Sequence, residues 1–100
     1  MATIDIRRGH ALNTTEAKQK AEQLARGMET KLGIRWRWEG DRIRFDAPSG
    51  AAKGTTGTVS VEASAVRVEV DLPFLLKAIK GTVESKIHQK LDEVLGPAPR

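Results

Sequence analysis

The stretch IRWRWEGDRIRFD, Ile34 to Asp46, decides the fold. Ile34, Trp36 and Trp38 alternate with Arg35, Arg37 and Glu39, and Ile43 and Phe45 alternate with Arg42, Arg44 and Asp46. Gly40-Asp41 lies between the two runs, and period-two alternation on both sides of a Gly-first turn specifies an antiparallel hairpin with a type II′ connection. Counting outward from the turn sets Trp38 against Ile43 and Trp36 against Phe45, so both tryptophans face inward as core residues. On the other face Glu39 meets Arg42 and Arg35 meets Asp46. Only Arg37 and Arg44 oppose each other as like charges, a penalty of about 0.2–1 kcal/mol.

The same patterning extends in both directions. Thr3 to Arg8 reads as a first strand with Ile4 and Ile6 on one face. Asn13-Thr14-Thr15-Glu16 has the form of a capping box. Ala17, Ala21, Leu24, Ala25, Met28 and Leu32 then recur at helical spacing, and Gly33 ends the helix. After the hairpin, Ala47 to Thr56 (APSGAAKGTT) is the longest loop. Gly57 to Glu62 and Ala65 to Val70 resume the alternation, with Val59, Val61, Val66, Val68 and Val70 inward. Asp71-Leu72-Pro73 opens a last helix with proline in its first turn. Its apolar stripe is Leu72, Leu75, Leu76, Ile79, Val83, Ile87, Leu91 and Val94, and Gly96-Pro97 stops it. The expected fold is α+β in the order β-α-β-β-β-β-α: a five-stranded antiparallel sheet with two helices on one face, a helix-grip-like two-layer sandwich. One apolar and one polar face on every strand require both helices to cover the same side. The domain is expected to span residues 1–96, followed by a loose tail at 97–100.

Composition narrows the function classes. The chain has 100 residues, 39% of them hydrophobic, and no cysteine, so disulfides, thiolate metal sites and thiol catalysis are excluded together. It shows neither a spanning segment nor a secretion signal, and the expected location is cytoplasmic. Seventeen basic against thirteen acidic residues give a net charge of +4. That surplus is interleaved with acid on the hairpin and at Glu16–Lys20, Glu22–Arg26 and Lys80–Glu84, spaced i,i+4. A phosphate-tracking surface needs an uncompensated stripe, so nucleic acid is not the expected partner.

The last helix is longer than the sheet it covers. Some 23 residues at 1.5 Å each reach about 34 Å, whereas strands of five to seven residues span about 17–23 Å. Lys86 and Lys90 fall inside the late stripe, so the C-terminal end is expected to leave the core, with Leu91, Val94 and Leu95 partly exposed and in contact with a partner or a second copy. Phe74 lies off the stripe. It either folds beneath the start of the helix or stands exposed as a contact for an apolar surface.

No catalytic constellation emerges. His88 follows Glu84 by four residues and reads as half of a solvated pair. His10 lies at the end of the first strand, where a hydrogen bond into the turn is the simpler role. Neither has the carboxylate and nucleophile of a triad, and no His/Glu spacing marks a metal site. The run SGAAKGTTG fails as a phosphate loop because Lys53 precedes Gly54 and the segment joins two strands. A cavity lined by Trp36 and Trp38 for an apolar ligand remains open.

Taken in order, Ile4-x-Ile6, Arg8-Gly9-His10-x-Leu12, Ala17, Trp38-x-Gly40-Asp41 with Phe45, Gly54 and Gly57 before Val59-x-Val61, and Leu72 leading to Lys80, Ile87 and Leu91 resemble the polyhydroxyalkanoic acid system proteins, a bacterial family of the polyhydroxyalkanoate granule region. The resemblance covers nearly the whole chain. The loop from Ala47 to Lys53 is longer than the family pattern, and Pro73 stands where glycine is commoner. The resemblance implies a granule-associated or accessory binding module that contacts the polyester granule or a protein of that system. It carries no catalytic residue and no cofactor; His10 is the position that matches the family's pattern. Phe74, Leu91, Val94 and Leu95 are the expected partner contacts, with a homodimer through the C-terminal helix as one form of that contact. The alternative is a small carrier holding an apolar or acyl ligand between sheet and last helix near Trp36 and Trp38. An enzyme ranks third.

Overall fold

The computed structural model describes residues 3–50 and 52–95. Five strands, β1 (Ile4–Gly9), β2 (Arg35–Glu39), β3 (Arg42–Asp46), β4 (Thr56–Val61) and β5 (Ala65–Asp71), form one sheet in the order β1-β5-β4-β3-β2. Every neighbouring pair is antiparallel. Helix α1 (Thr14–Leu32) follows β1, and a 3-10 helix (Phe74–Ile79) runs directly into α2 (Lys80–Leu95). The α+β order is the one expected. Gly96-Pro97 and the tail at 97–100 lie outside the described residues.

Local chemistry accounts for the boundaries. The hairpin pairs Trp36 with Phe45 and Trp38 with Ile43. Gly40 takes φ +65° and Asp41 does not take a positive φ, as a type II′ turn requires. The Asn13 side chain caps α1 by accepting from the Glu16 N–H at 2.8 Å, and its amide donates to the Glu16 carboxylate at 2.7 Å. At the other end Gly33, at φ +70°, donates to the Glu29 carbonyl. In β4, a Cβ on Gly57 would collide with the Glu69 carbonyl oxygen and the Phe45 ring, so Phe45 lies across a glycine by necessity.

The core lies between sheet and helices. Ile4, Leu24, Ile43, Val59, Val66, Val68, Val70, Ile87 and Leu91 are fully enclosed. Trp36 and Trp38 do face inward, but they are only half-buried and pack at the core's margin. The reason is position: β2 is an edge strand. Glu22 on α1 accepts from the Trp38 indole N–H at 3.0 Å, which ties the helix to that edge.

The last helical segment departs from expectation at both ends. Its first six residues wind as a 3-10 helix, started by Pro73 at φ −62°, ψ 157°. Three residues per turn align Pro73, Leu76 and Ile79 and rotate Leu75 off the apolar side. Leu75 is consequently 86% exposed, and Phe74 82%. At the far end Leu91 is 1% exposed, which corrects the expectation that it leaves the core. Val94 and Leu95 are half-buried, the partial exposure expected of them, and pack against the core. Lys90 does not push α2 away, because it lies over Gly27, where α1 has no side chain. Ala21 opposite Leu91 lets the helices approach closely. The overhang therefore exists at the N-terminal end of the segment.

Candidate functional site

Four pieces of chain converge at the end of the sheet where β5 gives way to the 3-10 helix: the last turn of α1, the β3–β4 loop, the 3-10 helix and the first turns of α2. Leu72 is buried there, and its N–H is received by the Thr3 hydroxyl at 3.2 Å. The loop is compact: Ala47 donates to Thr55 O, Gly54 to Ala47 O, Lys53 to Gly50 O and Thr55 to Ala52 O. At Gly54, φ +92°, a Cβ would press on the Pro73 ring at 3.2 Å, so the loop packs against the start of the 3-10 helix.

Between these pieces lies an open cleft of about 400 Å³, within the range of small-ligand sites. Leu32, Ala52, Leu72, Leu76, Ile79 and Val83 give it an apolar lining. Lys31 and Lys86 stand on its rim, both exposed. Thr55, on the loop side, is 5% exposed, and its Oγ1 is buried without a hydrogen-bond partner among the described residues. On the outer side of the same 3-10 helix, Phe74 and Leu75 stand exposed. Of the two readings of Phe74, the exposed one holds.

The other sequence candidates are dispersed. Trp36 and Trp38 do not line this cleft. The Trp36 indole nitrogen is buried without a partner among the described residues. His10 has both ring nitrogens engaged: Nδ1 accepts from the Leu12 N–H at 3.1 Å, so Nε2 carries the proton and donates to the Glu62 carbonyl at 3.2 Å. That is the structural hydrogen bond into the turn. His88 does not pair with Glu84, which Lys80 holds at 3.6 Å. Instead its Nδ1 accepts from Arg8 at 3.4 Å.

Sequence reasoning missed Arg8 and Thr55. Arg8 follows Ile4 and Ile6 on the inward face of β1, is buried, and donates to Asp92 Oδ1 at 2.8 Å. The inward phase of the strand and the i,i+4 spacing of His88 and Asp92 were the available signals. For Thr55 nothing in the sequence was available, because its burial depends on how the loop folds back.

The open face of the sheet is ion-paired. Arg67 bonds both Asp5 oxygens at 2.9 and 2.6 Å, and that bonding holds the Asp5 carboxyl below its ordinary value. Glu39 is likewise lowered, first by the hydrogen bond from Arg37 at 2.9 Å. On α2 the Lys90 ammonium lowers Glu93. Paired charges of this kind describe a solvated surface rather than an anion site. Among the described residues no cluster of three His, Cys, Asp or Glu side chains could hold a metal, and no helix is long and apolar enough to cross a membrane.

Residues 4–95 match the family described as putative polyhydroxyalkanoic acid system protein. No curated protein sequence matches the chain.

Proposed function

Because this chain belongs to the polyhydroxyalkanoic acid system family over residues 4–95, we propose that it is a non-enzymatic accessory module that attaches to the polyester storage granule through its 3-10 helix. The carrying observation is the apolar outer side of that helix: Phe74 at 82% and Leu75 at 86% exposure, adjacent on one short segment. Large apolar side chains grouped in this way mark contact surfaces. The proposed contact residues are therefore Phe74 and Leu75, in place of Leu91, Val94 and Leu95. A location on granules within the cytoplasm follows from the same reading.

The test is co-sedimentation with purified amorphous polyester granules. The native chain is expected in the pellet, and a Phe74→Ser, Leu75→Ser double variant in the supernatant with an unchanged circular dichroism spectrum. Equal partition of the two proteins would end the granule reading.

The cleft favours a second reading, a carrier of acyl compounds. An apolar lining beneath a lysine rim supports it, and the tryptophans do not contribute.

A further inference from the structure

The granule reading leaves open what kind of surface the 3-10 helix meets, and the charge around that helix defines it. Three residues per turn put Phe74, Lys77 and Lys80 on one row and Leu75 with Ala78 on the next. All five are exposed. Residues 72–83 include no Asp or Glu, and neither do residues 47–61 of the β3–β4 loop and β4. Gly54 of that loop packs on the Pro73 ring, which brings Lys53 to the start of the helix. Lys31 and Lys86 flank the other side, across the cleft that Leu76 and Ile79 line.

Ion pairing sets this end of the molecule apart. On the open face of the sheet Arg35, Arg37, Arg44 and Arg67 are each held by a carboxylate. At this end Lys80 takes Glu84 at 3.6 Å, but Lys31, Lys53, Lys77 and Lys86 form no ion pair with any described residue. Two large apolar side chains beside unneutralised ammonium groups fit an interface that is oily beneath and negative at its surface. A bare polyester is uncharged along its chain. It would use the apolar pair and give the lysines no counterpart.

Resting on the granule reading, we infer that this face docks on anionic phospholipid, present as a layer over the polymer. Phe74 and Leu75 enter the acyl region, Lys53 and Lys77 meet the phosphate headgroups, and Lys31 and Lys86 add attraction from further away. The two sets have separate effects: the apolar pair gives adhesion to any lipid surface, and the lysines select a negative one.

Sedimentation of the whole chain with vesicles separates these effects. The vesicles are phosphatidylcholine alone or mixed equally with phosphatidylglycerol, each at about 50 mM and about 500 mM salt. At low salt the chain is expected to bind the mixed vesicles about 25-fold tighter, about fivefold for each headgroup-contacting lysine, and high salt is expected to remove most of that preference. Lys53→Gln with Lys77→Gln is expected to do the same at low salt and to leave binding to neutral vesicles unchanged. Phe74→Ser with Leu75→Ser is expected to weaken binding to both kinds, with the circular dichroism spectrum of each variant native. Equal binding of the native chain to the two vesicle kinds, or a preference that survives the lysine substitutions, would overturn the inference. Mixed-vesicle binding untouched by the Phe74 and Leu75 substitutions would overturn the placement. Binding to lipid-free polyester granules with none to either vesicle would overturn the inference and leave the granule reading standing. Pelleting with neither vesicles nor granules would overturn both.

Discussion

At the scale of single residues, Arg8 shows how a charge is accommodated beneath a helix. Its guanidinium is enclosed and held by Asp92 from α2, whose side chain is itself half exposed. Replacing a whole buried pair by apolar side chains is often neutral, and removing one partner costs most when the charge left behind is itself enclosed, as that of Arg8 is and that of Asp92 is not. Arg8→Met is accordingly expected to change stability by less than about 1 kcal/mol, and Asp92→Ala to lower it by about 1–3 kcal/mol. Urea unfolding of both variants checks the order; a more damaging Arg8→Met would place the stabilisation in the charge itself. His10 offers a contrasting case, since its ring joins the β1–α1 turn to the segment after β4 with both nitrogens used. Its agreement with the family pattern is explained by that bracing.

At the scale of elements, the helical segment after β5 is where periodicity was most informative and most misleading. A 3.6-residue stripe places Leu75 and Leu91 on one apolar side. The 3-10 start moves Leu75 into solvent, and the small residues of α1 hold Leu91 against the core. Leu91→Ala is expected to cost about 2–5 kcal/mol, while Leu75→Ala should lie within about 0.5 kcal/mol of the native protein. Paired denaturation curves test both statements, and similar losses would mean that α2 is seated differently. In β4, Gly57→Ala is expected to destabilise by about 1–3 kcal/mol through overpacking against Phe45 and the β5 backbone. A neutral result would show that the Phe45 ring can move aside.

The strands were more legible than the helix because alternation constrains them residue by residue. The hairpin register, the inward valines and the Gly33 cap all follow from short-range pattern. The cleft does not, since it forms where the end of α1, the β3–β4 loop and the continuous 3-10/α2 segment, distant from one another in sequence, meet. Leu32, Leu72, Leu76, Ile79 and Val83 were visible in the sequence as apolar, and they read as core.

At the scale of the whole molecule, the open face behaves as a pH-sensitive surface of low cost. Asp5 and Glu39 on that face, and Glu93 on α2, are each held below the ordinary carboxylate range by a hydrogen-bonded cation. The folded chain therefore binds fewer protons than the unfolded one in mild acid. The stabilisation is complete above the unfolded values, about 4, and disappears as pH falls through the lowered ones. The melting temperature should stay level from neutrality to about pH 5 and decline below about pH 4. Asp5→Asn combined with Glu39→Gln should flatten that decline, and an unchanged acid limb would assign it to other groups. Because these charges balance one another across the sheet, the polar side offers little to a distant partner, and the distinctive chemistry lies with the helices.

The stretch from Phe74 to Ile79 is one turn thick, so its two sides cannot be independent. Leu76 and Ile79 wall the interior space while Phe74 and Leu75 meet the outside, and whatever braces one side stiffens the other. Adhesion to a surface and occupancy by cargo would then report on each other through a shared partition. Thermodynamic reciprocity requires that influence to be equal in both directions.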